Sequence, residues 1–375
     1  MGMENKNTEV IKIDRMRIDS DAIRHCAEVL RNGGLVCFPT ETVYGLGANA
    51  LRADAVDKIY KAKGRPADNP LIVHISSCKM LDLVTECSAS QRQILDRLAQ
   101  KFWPGPLTVI ANRSASVPSN VSCGLNTVGI RFPSHPVARA LIEAAGVPVA
   151  APSANLSGKP SPTRAAHVIE DMMGRVDLII DGGCCDVGVE STVFDIAGEK
   201  MSILRPGAVT LDQIASVVDS ADELDWMRPQ SEAEIGTPRS PGLKYKHYAP
   251  KASVTIFEGP RESVAERINA EIKRRKKDGF SIGVLATDES ICYYKEVGIV
   301  VQSLGSLNNS LQQASNLFHC LRRFDDLGID VVFAEALPRS GAGDAVMNRL
   351  YRAAGGAVVL CGADSPGTPR AASEQ

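Results

Sequence analysis

Gly45-Leu46-Gly47-Ala48-Asn49-Ala50 is the stretch on which the fold turns, because it fits G-x-G-x-x-A, the dinucleotide-binding pattern. That pattern marks a Rossmann half only where the glycines open a helix straight after a strand and an acid ends the next strand about 20 residues on. Asp68 stands near that distance, but inside Lys63-Gly64-Arg65-Pro66-Ala67-Asp68-Asn69-Pro70, which its prolines make an extended loop. The glycines are better read as letting the backbone pass close to something small. No glycine loop ends in Gly-Lys-Ser/Thr either, so a bound triphosphate would have to be held by side-chain cations.

Outward from this stretch, apolar runs alternate with helical periods. Residues 22–31 read as a helix stopped by Gly33-Gly34, 35–38 as a buried strand, 54–63 as a helix, 71–75 as a strand and 90–101 as a helix. Strands are expected at 107–111, 127–131, 149–151, 178–181, 192–196 and 202–204. After Val218 the composition turns acidic and then rich in Pro, Ser, Glu and Gly up to Gly242, as in a linker. Lys244-Tyr245-Lys246-His247-Tyr248-Ala249-Pro250 is too aromatic and basic for a passive tether. Beyond it, 253–257, 281–287, 299–304, 331–336 and a short run near Val358 read as strands, with helices at 263–277, 311–327 and 344–354. That is a small α/β unit with a parallel sheet. The segment after Gly362, rich in Pro, Ser and Ala, reads as a disordered tail.

Composition narrows the function classes. The 375 residues suffice for two cores, and a net charge of −2 advertises neither nucleic acid nor an acidic membrane. The ten cysteines show no C-x-x-C spacing and no histidine pair at i+3 or i+4, so they read as reduced, structural thiols in a reducing compartment. The first eight residues lack an apolar h-region and no run approaches about 18 apolar residues. A cytoplasmic protein is expected.

The chemistry gathers at cations and hydroxyls. Lys63 and Arg65, a point charge and a bidentate fork on a stiffened turn, suit a polyphosphate; they equally suit a helix C-terminus dressed for its dipole. Pro152-Ser153-Ala154-Asn155, with Ser157-Gly158 and Ser161-Pro162-Thr163, follows a strand of small residues and fits either an anion-binding rim or a capping turn. Arg131 interrupts an apolar strand, and Glu190-Ser191-Thr192 and Leu204-Arg205-Pro206-Gly207 again put polar groups at strand ends. Together these point to an anion site. The run Lys273-Arg274-Arg275-Lys276-Lys277 ends an amphipathic helix and reads as a solvated helix end rather than an RNA contact, and Trp103 and Trp226 are too isolated to form a stacking platform. With no Gly-x-Ser-x-Gly elbow, the site works by positioning and charge.

In order along the chain, Pro39-Thr40-Glu41-Thr42-Val43-Tyr44-Gly45-Leu46-Gly47, Lys63-Gly64-Arg65-Pro66, Trp103-Pro104-Gly105-Pro106-Leu107-Thr108, Val128-Gly129-Ile130-Arg131-Phe132-Pro133, Ala151-Pro152-Ser153-Ala154-Asn155, Val189-Glu190-Ser191-Thr192-Val193 and Leu204-Arg205-Pro206-Gly207 resemble the threonylcarbamoyl-AMP synthase family. Ser240-Pro241-Gly242, His247-Tyr248-Ala249-Pro250 and Gly343-Asp344-Ala345-Val346-Met347-Asn348-Arg349 resemble its long form. The resemblance implies an α/β fold: a YrdC-like open twisted sheet with a basic groove at 15–210, a linker at 211–250 that covers the site, and a smaller Rossmann-like domain at 251–362 before the tail 363–375. It implies that L-threonine, bicarbonate and ATP give threonylcarbamoyl-adenylate, pyrophosphate and water, and that a separate transferase passes the group to tRNA beside the anticodon. It places threonine on Thr42, His74, Arg131, Ala151 and Ser191. ATP falls to Arg65, Asn69, Thr127, Ser153, Asn155, Ser161, Arg205, His247 and Tyr248, with Lys63 and Arg65 as the catalytic cations. Mg2+ would accompany the triphosphate, with no metal site of the protein's own. The rival readings are a tRNA-binding protein without catalysis, recognisable by salt-dependent RNA binding without nucleotide turnover, and an NAD-dependent oxidoreductase.

Overall fold

The computed structural model describes residues 6–219, 221–223, 238–240 and 247–362. The expectations for Trp226, for 241–246 and for the tail from 363 lie outside them. The chain divides into two compact units, residues 1–157 with 161–245, and residues 158–160 with 246–375.

In chain order the first unit runs β1 (Glu9–Lys12), α1 (Ser20–Arg31), β2 (Val36–Phe38), β3 (Gly45–Asn49), α2 (Ala53–Lys63), β4 (Ile72–His74), α3 (Leu81–Val84), α4 (Ala89–Phe102), β5 (Leu107–Asn112) and β6 (Thr127–Arg131). It continues with α5 (Pro136–Ala145), β7 (Val149–Ala150), α6 (Ala165–Met172), β8 (Leu178–Asp181), β9 (Thr192–Asp195), β10 (Ser202–Arg205), α7 (Leu211–Ala215) and β11 (Asp222–Glu223). The strands form one mixed sheet in the order β1-β8-β2-β3-β7-β4-β6-β5-β9-β10-β11. Alternation along the strands feeds two cores: Val36 and Phe38 face the one shared with α1 and α5, while Leu35 and Cys37 face the one packed by α2, α4 and α6. Helix starts follow their capping residues. Asp19 accepts from the backbone of Asp21 and Ala22, and Ser88 and Gln91 close a capping box on α4.

The stretch 45–50 is a strand, not the turn into a helix. β3 runs antiparallel to both β2 and β7. A Cβ on Gly47 would come within 2.7 Å of the Phe38 ring and 2.9 Å of a Val149 methyl, so the glycine is there to let two core side chains cross the sheet face. What passes close to this backbone is the protein's own core, and the dinucleotide reading fails with the geometry it needs. Two further elements fall in the stretch read as linker: α7, and β11, which pairs parallel with β10.

The second unit runs β12 (Ser253–Glu258), α8 (Arg261–Lys277), β13 (Ile282–Ala286), β14 (Val300–Ser303), α9 (Ser310–Asp326), β15 (Val331–Glu335), α10 (Gly343–Ala354) and β16 (Val358–Leu360). Its sheet is parallel throughout, in the order β14-β13-β15-β12-β16. Among the described residues no helix is long and apolar enough to cross a membrane, and none of the ten cysteines forms a disulfide.

Candidate anion site in the first unit

Strand register builds the centre of the site. β4 and β6 pair in parallel with His74 opposite Arg131, and β5 sets Thr108 opposite Arg131 on its other side. Directly opposed residues share a face, so one row across three strands carries an imidazole, a guanidinium and a hydroxyl. Arg131 is buried and turned onto the loop after β2: Nη1 donates to Thr42 Oγ1 at 2.8 Å, Nε to the Gly105 carbonyl at 3.4 Å, and Nη2 lies 2.7 Å from Glu41 Oε1. That last contact is an ion pair by distance but too far off line to count as a hydrogen bond. Burial, and then the neighbouring Arg131 charge, push the His74 pKa down to about 3, so this imidazole is neutral beside the cation.

Ser191 joins the row through Thr108, their hydroxyl oxygens 2.8 Å apart. Arg205, at the end of β10, donates from Nη2 to the Ser191 carbonyl at 3.0 Å and hydroxyl at 3.3 Å. Gly207 keeps that segment close, since a Cβ there would sit 2.1 Å from the Thr192 backbone nitrogen. Thr42, His74, Arg131, Ser191 and Arg205 thus form one connected cluster. The backbone of Ala151, just past β7, donates to the Ile72 carbonyl at 2.9 Å, two residues before His74 on β4.

A second cation is set by α2, which ends at Gly64 in the left-handed conformation. Lys63 is buried, and its Nζ donates to the carbonyls of Ser153 and Asn155, each at 2.5 Å. The Ser157 amide closes the same turn on the Lys63 carbonyl at 3.0 Å. The helix end and the 152–157 loop are therefore one structure, fastened together through Lys63. Arg65 braces its own loop, donating to the carbonyls of Asn69 and Pro70 at 2.9 and 3.2 Å, with Asn69 buried beneath. Ser161 donates to Glu190 Oε1 at 2.5 Å, one residue before Ser191.

One expected residue of the first unit stands apart from the cluster. Thr127 begins the strand that Arg131 ends, about 13 Å away at the rise of a strand. It lines a small pocket with Pro70, Leu71, Ile72, Gly129 and Arg239. His247 and Tyr248 belong to the second unit, where the Tyr248 ring lies 5.3 Å from that of Phe318 and 5.9 Å from the Arg349 guanidinium. Sequence reasoning gave no role to Glu41, Thr108, Glu190 or the Arg239–Asp195 ion pair, 2.7 Å long with Asp195 buried and its pKa raised chiefly by that burial. A lone acid inside a motif of hydroxyls and cations was the available signal for Glu41 and Glu190.

A family model described as "Telomere recombination" matches residues 28–207, and one described as "Threonylcarbamoyl-AMP synthase, C-terminal domain" matches 209–355. The chain is similar to the threonylcarbamoyl-AMP synthase of Pyrococcus abyssi, 44% identical over 91% of this chain and 96% of the relative. It is equally similar to that of Bacillus subtilis, 44% identical over 95% of this chain and 100% of the relative. The relative from Schizosaccharomyces pombe is 39% identical over 89% of this chain and 88% of its own length. Among solved structures, Pyrococcus abyssi Sua5 complexed with L-threonine superposes with a TM-score of 0.87 at 43% identity, covering 94% of this chain and 99% of that one.

Proposed function

The chain belongs to the threonylcarbamoyl-AMP synthase family, and on that premise we propose that it condenses L-threonine, bicarbonate and ATP to threonylcarbamoyl-adenylate, pyrophosphate and water. The observation that carries the reading is the cluster in which Arg131 bonds Thr42 beside the neutral His74 and Arg205 bonds Ser191, the two joined through Thr108 and all buried in one unit. Carboxylated threonine carries two negative charges and must approach the α-phosphate of a second anion. Two unit charges about 4 Å apart repel by about 4 kcal/mol at an effective dielectric of 20, so the step needs fixed cations.

In this reading Arg131 takes the threonine carboxylate, with Thr42, His74, Ser191 and the backbone of Ala151 completing the amino-acid pocket. Arg65, Asn69, Thr127, Ser153, Asn155, Ser161 and Arg205 take ATP, and Lys63 stands beside the phosphates. A carbamate oxygen bonds to the α-phosphorus, the bond to the bridging oxygen breaks, and pyrophosphate leaves. His247 and Tyr248 are assigned to ATP by the resemblance alone. Mg2+ would enter on the triphosphate: the described residues hold no group of three His, Cys, Asp or Glu to cage an ion, so its ligands would be mainly phosphate oxygens.

We assign catalysis to 15–210, a covering role to 211–250 and the Rossmann-like domain to 251–362. The product would be consumed by a transferase acting on tRNA, with direct tRNA binding not required. A cytoplasmic setting suits ten cysteines outside any disulfide. The test is pyrophosphate release with each of the three substrates withheld in turn.

A further inference from the structure

Glu41 is the residue the reaction above leaves without a task. It is only 4% exposed, and neither carboxylate oxygen has a hydrogen-bond partner among the described residues. Its backbone is fixed from the far side, the Val187 amide donating to the Glu41 carbonyl at 2.7 Å and the Gly188 amide to that of Thr42 at 3.0 Å. Arg131 supplies charge at 2.7 Å without a hydrogen bond in line. A buried carboxylate can accept about four hydrogen bonds, and leaving them unmade is costly unless a donor arrives. The other titratable groups that feel its charge are His135, at the start of α5, and the Cys185 thiol. Burial holds His135 towards its neutral form and raises the Cys185 pKa well above its ordinary value, so neither is a cation competing for Glu41.

An α-amino acid arrives as a zwitterion. A guanidinium and a carboxylate 2.7 Å apart are its charge complement, and Thr42, adjacent in sequence to Glu41, already bonds the same guanidinium. The amine must then lose its protons to become a nucleophile, and the nearby imidazole is a poor base with its pKa near 3.

We propose that Glu41 is a catalytic residue that receives the threonine ammonium and acts as the general base for its carboxylation; this rests on the synthase reading. The nitrogen bonds to the bicarbonate carbon and a C–O bond of bicarbonate breaks. Of the two protons the ammonium loses, one leaves with that oxygen as water and the other goes to Glu41. One negative charge moves from Glu41 to the new carbamate, so the charge facing Arg131 is unchanged through the step. A carboxylate is a weak base toward ammonium, so the transfer accompanies C–N bond formation, which acidifies the N–H.

The experiment compares wild type, Glu41→Gln and Glu41→Asp in threonine-dependent pyrophosphate release from pH 7 to 9.5, with ATP and bicarbonate saturating. Glu41→Gln is expected to lower kcat/KM for threonine by about 100-fold or more near neutrality, within the usual range for a lost general base. The deficit should shrink as alkaline pH populates the free amine, and Glu41→Asp should keep the wild-type profile at a reduced rate. A deficit equal at every pH, a Gln variant within about threefold of wild type, or an Asp variant no better than Gln would overturn the proposal. Should Glu41→Gln not fold, the wild-type protein carries the test. 2,3-Dihydroxybutyrate, which replaces the ammonium with a hydroxyl, should compete with threonine at least tenfold less tightly, and equal binding overturns the role. A wild-type protein without threonine-dependent release would instead strike the synthase reading itself.

Discussion

The ends of α2 and α8 both carry cations in the last turn, lysines at α2 and lysines with arginines at α8, and meet opposite fates. At α2, Lys63 is driven inside and fastened to two carbonyls of the 152–157 loop. At α8, Arg274 lies 2.7 Å from Glu271 and Lys276 3.2 Å from Glu296, while Arg275 covers the Phe280 ring at 5.6 Å, all near the surface. Both ends satisfy a helix dipole, so charge density alone does not tell a site from a solvated terminus. Burial is what separates the two ends: Lys63 lies inside with two carbonyls among its partners, whereas the α8 cations stay near the surface, where an ion pair is worth little.

The contrast is open to attack in order of effect. Lys63→Met should lower kcat by about 100- to 1,000-fold, as when a preorganised donor is removed from an anionic transition state; a loss below about tenfold in steady-state kinetics would put Lys63 with the capping residues. An intermediate effect belongs to His74. The folded imidazole stays neutral down to about pH 3, whereas the unfolded one binds a proton below about 6.5. Its contribution to stability is therefore whole above that pH and is lost as pH falls, at about 1.4 kcal/mol per unit. Melting curves of His74→Gln from pH 6.5 to 5 should fall less steeply than wild type by that one proton, and equal slopes would mean that His74 is protonated when folded. The smallest effect is expected at α8. Arg274→Ala with Arg275→Ala should change stability by no more than about 0.5 kcal/mol per site and leave pyrophosphate release within about twofold. A marked loss there would revive a functional basic patch.

What the sequence made legible follows the range of the signal. The end of α2 at Gly64, the strands around Ile72–His74 and Thr127–Arg131, and the parallel sheet of the second unit all rest on local punctuation and apolar runs. β3 was hidden because glycines that admit Phe38 and Val149 across the sheet look like glycines that admit a pyrophosphate. β11 escaped because two residues pairing with β10 leave no period to detect. The candidate residues were legible as types, hydroxyl and cation at strand ends, but their arrangement in space was not. His74 and Arg131 are 57 positions apart in the numbering and meet only through the β4–β6 register, a non-local fact. Glu41 left only a weak signal, one acid among hydroxyls and cations, whose weight shows once its burial is seen.

The central claim is that the buried cations of the first unit bring two anions together. It is tested most directly by pyrophosphate release from ATP by the full chain, with threonine and bicarbonate withheld in turn. Release is expected only when all three are present. Release that proceeds unchanged without threonine, or none with the complete mixture, would contradict it.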